Sequence, residues 1–383
     1  MRFKKLTLTV HLWLGLTSGL VVFIVGVTGC ILAFRQEIET YSKPYLFVRP
    51  LTQRQLAPSA LDTLLKIKLK AIDDTVKVKV LGLQYPGQDR AAIITYTTGV
   101  NKTYLAYLNP YTGAVMRYNQ PVVDFFAFIE HGHRWLWFPY QIGRPIQSSF
   151  VLVFLVMMIS GIMLWWPKRW TKSNRKKSFT INWKAKWKRV NYDLHNVLGF
   201  YMTWVLVLIV ITGLSISMEW FQKGVYWVTS GGKQLQEFKL PSSDTTKAIS
   251  PFTIKQADKL WFKAASKYHQ QAELSYLLPA IKTAPVLELV NTMPSKTYRR
   301  EFHYYDQYTL KDISAQSSLG GTYDQSGPAD KLRRMNIDIH MGVIGGIATK
   351  IISFLASLVA ASLPVTGFYI WWGKRKKKNN IHI

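Results

Sequence analysis

The chain has 383 residues, 48% of them hydrophobic, and a formal net charge of +28. Because its basic residues flank long apolar stretches, contact with membrane lipid explains the charge, and we expect no nucleic-acid partner. The single cysteine, Cys30, excludes an intramolecular disulfide, a cysteine-based metal site and covalent cofactor attachment through a C-x-x-C-H motif.

Four apolar stretches are each long enough to cross a bilayer, whose hydrocarbon core needs roughly 20 helical residues. They cover residues 10–34, 149–166, 196–218 and 347–372. The first lacks a small-residue cleavage site of the signal-peptide kind, so we expect it to remain as a helix. The chain is therefore predicted to be a multi-pass membrane protein.

The distribution of Lys and Arg predicts the orientation of these helices. The segments before the first helix, between the second and third, and after the fourth hold 18 basic residues and one acid, Asp193. By the positive-inside rule, both termini and the 168–193 loop are cytoplasmic. The pairs Trp165-Trp166 and Trp371-Trp372, which precede two basic runs, are predicted to anchor the helices at the lipid interface.

Each long segment between spanning helices has the pattern of a small α+β domain on the outer side. The turn Asn109-Pro110-Tyr111-Thr112-Gly113 in the first segment resembles the stretch from Asp306 in the second, where Lys311 takes the place of Gly113. The predicted elements are a helix at 56–70 with strands at 76–84, 91–97 and 103–108, and a helix at 254–268 with strands at 285–291 and 297–305.

The two halves of the chain repeat one pattern that includes histidines. His11 and His195 each open an apolar run, with Gly four residues later and Thr-Gly at +17 and +18. His133 and His340 each lie about 32 residues before a Trp-Trp pair that ends a run beginning with Ser-Gly or Thr-Gly. The predicted fold class is membrane α-helical: four transmembrane helices as two parallel repeats, each with an extracytoplasmic α+β domain.

These four histidines are candidate cofactor ligands. A lone histidine at a helix end usually makes ordinary hydrogen bonds, but two symmetric pairs within a membrane favour coordination. Two facing histidines can supply both axial nitrogens of one haem iron. We therefore predict one haem on His11 and His195 near the cytoplasmic surface, and another on His133 and His340 near the outer surface. Packing against the inner haem is predicted for Gly15 and Gly199.

The outer ligand of the first half has an alternative. His133 precedes Pro139, Gly143 and Pro145, so it is predicted to lie on a short helix before the spanning helix. His131 competes with it, because residues two apart on a helix point to different faces and only one of the two can serve. The other histidines are predicted to be solvated, with His303 a weak candidate; these are His269, His303 and His382.

The histidine-x-x-x-glycine helix starts, the helix end from Gly161 to Arg169 and the Asn-Pro-Tyr-Thr-Gly turn resemble the PepSY-associated transmembrane proteins. The nearest branch of that family is similar to the iron-regulated inner-membrane ferric-siderophore reductases, over essentially the whole chain. The resemblance implies periplasmic PepSY-like domains and two non-covalent b-type haems that carry electrons to a ferric chelate. Carried onto this chain, its haem ligands are His11, His133, His195 and His340.

The resemblance and the charge pattern together divide the chain into eight segments. They are spanning helix 1 (1–38), the first PepSY-like domain with the stretch before helix 2 (39–145), spanning helix 2 (146–167), a basic cytoplasmic loop (168–193), spanning helix 3 (194–219), the second PepSY-like domain (220–340), spanning helix 4 (341–373) and a basic cytoplasmic tail (374–383).

The function expected from this pattern is reduction of an Fe(III) siderophore on the periplasmic side, with release of Fe(II) for iron uptake. The sequence contains no G-x-G-x-x-G, Walker or G-x-S-x-G motif, so the electron donor is expected to be a quinol or another protein. Substrate docking is expected at an aromatic edge near Tyr304 and Tyr305. The alternatives are transport of a siderophore or ion and a non-redox module that binds a partner.

Overall fold

The computed structural model of the chain describes residues 2–99, 102–167, 169–247, 252–268, 271–314 and 321–379, without the side chains of 374–379. The predictions for His269 and His382 lie outside these described residues. The chain forms two compact units. The first contains Met1–Arg35, Phe125–Val225 and Asn336–Ile383, and the second contains Gln36–Asp124 and Tyr226–Met335.

Twelve α-helices occur in the described ranges, together with a five-residue π-helix, Leu194–Leu198. The α-helices are α1 Arg2–Ala33, α2 Arg35–Ser42, α3 Pro58–Lys70, α4 Phe125–Trp135, α5 Tyr140–Trp165, α6 Lys172–Phe179, α7 Trp187–Asp193, α8 Gly199–Ser217, α9 Glu219–Thr229, α10 Ile254–Lys267, α11 Pro328–His340 and α12 Ile347–Asn379.

Four helical segments of the described chain are long and apolar enough to cross a membrane, as predicted: Arg2–Ala33, Tyr140–Trp165, Trp187–Ser217 and Ile347–Gly373. The second begins several residues before its predicted start, because Pro145 lies inside α5 and does not end it. Spanning helices tolerate such a proline, since neighbouring groups satisfy the backbone carbonyl that it leaves unpaired.

The first unit is held together by packing between these helices. Its buried centre contains Val22, Phe154, Leu214 and Ala356, one from each spanning segment. Helices α1 and α12 approach most closely at Gly26, where an added Cβ would lie 2.9 Å from the backbone nitrogen of Ala361. A larger residue at position 26 would therefore separate these two helices.

The second unit contains one antiparallel sheet of seven strands in the described chain, in the order β4-β3-β2-β1-β5-β6-β7. Strand β1 pairs with β5, so the two soluble segments share a sheet; Gly82 permits this approach, because an added Cβ would lie 2.8 Å from the Tyr276 carbonyl oxygen. The strands are β1 Lys79–Tyr85, β2 Ala92–Thr97, β3 Thr103–Leu108, β4 Val115–Pro121, β5 Glu273–Leu277, β6 Val286–Asn291 and β7 Glu301–Tyr305.

Helices α3 and α10 cover the apolar side of this sheet, and both were predicted. Leu61, Leu65 and Trp261 pack into a core with residues of β1, β2, β5 and β6. Asp258 on α10 accepts hydrogen bonds from Ser59 N and Ser59 Oγ on α3, at 2.8 Å and 2.5 Å. The core and this polar contact join the helix of one soluble segment to that of the other.

The two related turns share a hydrogen-bond pattern. Asn109 and Asp306 each accept, through Oδ1, the N–H groups of the residues two and three positions later. Gly113 then adopts φ +74°, and Leu310 takes its place with φ +55°. The sequence alignment with Lys311 at this position was therefore wrong by one residue.

The predicted aromatic edge is also wrong. Tyr304 and Tyr305 lie on the terminal strand β7, but only 2% and 4% of their surfaces are exposed. The Tyr305 hydroxyl donates to Glu288 Oε2 at 3.0 Å inside the second unit. Neither ring is available to dock a substrate. His303, beside them, donates from Nε2 to Glu301 at 3.3 Å.

Glu288 should make the stability of the second unit depend on pH. The side chain is 3% exposed, and burial raises the pKa of its carboxyl above the usual range. The folded unit therefore keeps this proton to higher pH than the unfolded chain does, and the free energy of unfolding falls as pH rises between the two pKa values.

Glu288→Gln keeps the shape and removes the ionisation. Unfolding of purified protein should show the stability of the variant rising relative to the wild type as pH increases above the usual glutamate pKa, by about 1.4 kcal/mol for each unit by which the pKa is raised. A stability difference that stays constant across this range would contradict the assignment.

Candidate functional site

Each of the four predicted ligand histidines contacts a Ser-Gly or Thr-Gly pair on a spanning helix of its own half. The Nδ1 atom of each ring lies within hydrogen-bond distance of the hydroxyl oxygen of that pair. The contacts are His11 with Ser160 at 2.8 Å, His133 with Thr28 at 3.0 Å, His195 with Thr366 at 2.9 Å and His340 with Thr212 at 3.2 Å.

The glycine that follows each hydroxyl residue makes room for the imidazole ring. A Cβ added to any of these glycines would meet the Cε1 atom of the histidine. The distances are 3.5 Å from Gly161 to His11, 3.4 Å from Gly29 to His133, 3.2 Å from Gly367 to His195 and 2.8 Å from Gly213 to His340. Each ring therefore lies against helix backbone that no side chain covers.

The hydrogen bonds determine the tautomer of the outer pair. His133 Nδ1 lies 3.1 Å from the Val25 carbonyl oxygen, and His340 Nδ1 lies 2.9 Å from that of Ile209. A carbonyl oxygen can only accept a hydrogen bond, so both Nδ1 atoms carry a proton and act as donors. The Nε2 atom of each neutral ring is then left with a lone pair.

The same tautomer follows for the inner pair from the hydroxyl groups. Ser160 Oγ donates its one proton to the Met157 carbonyl oxygen at 3.0 Å, and Thr366 Oγ1 donates to that of Ser362 at 2.9 Å. Each hydroxyl therefore accepts a hydrogen bond from the imidazole, so His11 and His195 also carry their proton on Nδ1.

The arrangement prepares four imidazole Nε2 atoms to bind a metal. Within the described residues, none of these four Nε2 atoms receives or makes a hydrogen bond, whereas every Nδ1 atom does. Hydrogen bonding at one ring nitrogen fixes the ring and raises the basicity of the other, which is how proteins orient metal-binding histidines.

His11 and His195 line one cavity of about 460 Å³ between the four spanning helices. Gly15 and Gly199 also line it. An added Cβ on Gly15 would lie 3.0 Å from Met157 Cε, so a larger residue there would take space from the cavity. The volume lies in the range of small-molecule and cofactor sites.

Aromatic side chains form much of the wall of this cavity. Trp165 stacks on Phe200 with ring centres 3.7 Å apart, and both rings line the cavity together with Trp371. Trp165 is 9% exposed, so it is a wall residue and not the interfacial anchor that was predicted; its neighbour Trp166 is 54% exposed. The π-helix that carries His195 is a distortion often found at functional sites.

His133 and His340 lie opposite each other, with ring centres 6.2 Å apart and ring planes at 58°. A metal–imidazole bond is about 2.0–2.1 Å, so two rings that bind one ion from opposite sides have their centres roughly 6 Å apart. The separation of His133 and His340 therefore matches that of two axial ligands on one metal.

His131, the alternative, does not share this arrangement. Its ring packs against Trp135 with ring centres 4.7 Å apart and planes tilted by 43°, and the helix α4 that carries both histidines ends before α5 begins. The expectation of a short separate helix is confirmed, and the structure brings His133, not His131, to His340.

Each histidine pair could bind a metal whose other ligands belong to a cofactor. The described residues contain no group of three or more His, Cys, Asp or Glu that could hold an ion. Two imidazole nitrogens at each site are the protein ligands that a bis-histidine haem iron would take. The residues present therefore fit haem.

Sequence reasoning identified the four histidines but not the residues that hold them. The Ser-Gly and Thr-Gly pairs were treated only as markers of the repeat. The sequence does contain a signal for these pairs. One pair occurs near the end of each of the four apolar runs, and the number of pairs equals the number of candidate histidines. Helix contacts were needed to connect each pair with its partner.

Nitrogen-15 NMR of histidine-labelled, ligand-free protein should test the tautomers. His11, His133, His195 and His340 should be protonated at Nδ1, whereas His303, which donates from Nε2 to Glu301, should show the opposite tautomer as an internal control. Assignment by single His→Gln variants identifies each signal. Protonation at Nε2 in the four would remove the proposed metal-binding lone pairs.

A sequence model of the PepSY-associated TM region matches residues 8–374. A comparison with curated proteins finds no match. The matched region includes all four spanning segments and the four histidines described above. The chain is therefore a multi-pass membrane protein that belongs to the PepSY-associated transmembrane family.

Proposed function

We propose that this protein is a di-haem electron-transfer protein of the bacterial inner membrane that reduces ferric siderophores on the periplasmic side. The observation that carries the proposal is the orientation of four partly buried imidazoles, arranged as two pairs and each bonded through Nδ1 to a neighbouring helix. A purely structural histidine has no need of this shared tautomer.

In this proposal, His11 and His195 hold the inner haem b, and His133 and His340 hold the outer one. When bound, haem b supplies an iron that accepts and releases one electron at each site. The hydroxyl and carbonyl acceptors keep the four rings in place and increase the electron donation from Nε2.

The spacing along the helices supports two haem levels. His11 lies 17 residues before Thr28, the partner of His133, and His195 lies 17 residues before Thr212, the partner of His340. At 1.5 Å per residue, this is about 25 Å along each helix axis. The apolar centre of the first unit, which includes Val22, occupies the length between and excludes water.

The paired contacts also support two parallel repeats, and the charge distribution supports their orientation in the membrane. Both halves use a histidine at a helix start against the end of the next spanning helix, as parallel repeats about a pseudo-twofold axis would require. The bias of 18 basic residues to one acid supports cytoplasmic termini and a cytoplasmic 168–193 loop. The two soluble segments, including the shared sheet, would then be periplasmic.

Reduction explains how iron is released without destruction of the chelator. A siderophore binds Fe(III) through hard oxygen donors and holds Fe(II) less strongly. One electron per iron converts Fe(III) to Fe(II), and no bond of the chelator breaks. The electrons come from a quinol or a protein donor on the inner side.

Single histidine variants should group by pair. His11→Ala and His195→Ala should abolish the low-spin bis-histidine signal of one haem, and His133→Ala and His340→Ala that of the other, because each pair serves one iron. Absorption and EPR spectra of purified variants measure this. His131→Ala is the matched control, since its ring packs against Trp135, and it should change neither signal. Loss of a common haem in His11→Ala and His340→Ala would refute the pairing.

A ferric siderophore should reoxidise the dithionite-reduced protein under anaerobic conditions. Fe(II) trapped by a ferrous chelator should equal the electrons lost by the haems, and the Ga(III) complex of the same siderophore, which cannot be reduced, should have no effect. In sealed vesicles, His11→Ala should retain this outer reaction and lose turnover from an inner donor. Failure with both hydroxamate and catecholate complexes would leave a haem protein of another purpose.

A further inference from the structure

We propose that the two histidines of each pair are held unequally: His195 and His340 are fixed ligands, whereas His11 and His133 can be released. This inference rests on the proposed haem sites and assigns Asn191 and Asn336 as positioning residues for the fixed ligands. The difference lies in contacts that, among the described residues, the second half of the chain makes and the first half does not.

An asparagine stands one helical turn before each histidine of the second half. Asn191 Nδ2 donates to the backbone oxygen of Thr366 at 3.1 Å, and Asn336 Nδ2 donates to that of Thr212 at 3.1 Å. Thr366 and Thr212 are the residues whose hydroxyls accept from His195 and His340. Because positions i and i+4 share a helix face, asparagine and histidine together hold one threonine at two points.

The first half lacks this second contact. Four residues before His11 stands Thr7, whose hydroxyl donates to the Phe3 carbonyl oxygen of its own helix at 3.0 Å. Four residues before His133 stands Ile129, a buried apolar side chain. His11 and His133 are thus held through the imidazole, without an amide one turn earlier.

The turns that follow the two outer histidines also differ, and again the first half is the less favourable of the two. After His133, the chain turns through Leu136 and Trp137 with φ +54° and +61°, values that side chains other than glycine rarely adopt. After His340, the comparable turn uses Gly342 with φ +70°, which is unstrained for glycine. The turn after α4 therefore carries backbone strain that the turn after α11 does not.

The consequence is a site in which only one of the two histidines can leave. A fixed histidine keeps the cofactor in place, while departure of its partner opens one axial position to a small ligand. The asymmetry is the same in both pairs, because both asparagine contacts lie in the second half.

Four glycine variants of the holoprotein test which ligand is fixed. His11→Gly and His133→Gly should each retain both haems, with one haem five-coordinate and high-spin, and added imidazole should restore its low-spin spectrum. His195→Gly and His340→Gly should each lose one haem. Haem-to-protein ratio and EPR spin state are the measurements. Equal behaviour within a pair, or retention in the reverse order, would overturn the inference.

Asparagine variants with all histidines intact provide a second test, because they leave the ligands unchanged. Asn336→Leu should raise the fraction of reduced outer haem that binds carbon monoxide by up to about twofold, because one lost hydrogen bond makes His340 as easy to displace as His133. Asn336→Gln, which retains an amide donor, should restore part of the difference. Ser215→Ala is the control, since that buried hydroxyl donates only to Ile211 of its own helix.

The outcomes separate the inference from the function on which it rests. Wild-type protein without haem overturns both. Wild-type protein with two low-spin haems, but an Asn336→Leu variant whose carbon monoxide binding equals that of Ser215→Ala, overturns only the unequal hold on the ligands.

Discussion

The hydrogen bond that histidine Nδ1 donates to a neighbouring helix is the interaction on which the membrane unit depends. An imidazole buried among apolar helices needs a partner for its N–H group, and a hydroxyl or carbonyl oxygen of the facing helix provides it. The glycine beside the hydroxyl lets the ring approach. Helix packing and ring orientation therefore come from the same contact, as at Gly213 and His340.

This contact also explains why each histidine site is built from two helices. One helix supplies the imidazole, and the other supplies its acceptor and the space beside it. The 17-residue interval between a histidine and the next Thr-Gly pair on the same helix places the two levels near opposite ends of a spanning segment. The proposed electron transfer would need such fixed positions, and the apolar core lies between them.

Several features could be predicted from the sequence because they depend on local patterns. Apolar length identified four spanning segments, and helical periodicity identified α3 and α10. The repeated registers identified His11, His133, His195 and His340 as a set. These signals require only the chain order and the physical cost of a polar group within a membrane.

Features that depend on contacts between distant segments were missed. Strand β4 alternates poorly, with most of its residues partly or fully exposed, and β5 has only five residues, so neither has a strong strand pattern. The pairing of β1 with β5 joins segments that lie almost 200 residues apart. Asn191 and Asn336 have no local signal, because their acceptors, the backbone oxygens of Thr366 and Thr212, belong to other helices.

The most direct test of the central claim is the haem content of wild-type protein purified after haem-replete expression, measured by pyridine haemochrome assay with EPR of the oxidised sample. Two pairs of Nε2 ligands predict two haems b per chain, both six-coordinate and low-spin. A content of zero or one, or two haems without bis-histidine signals, would contradict the assignment of these four histidines.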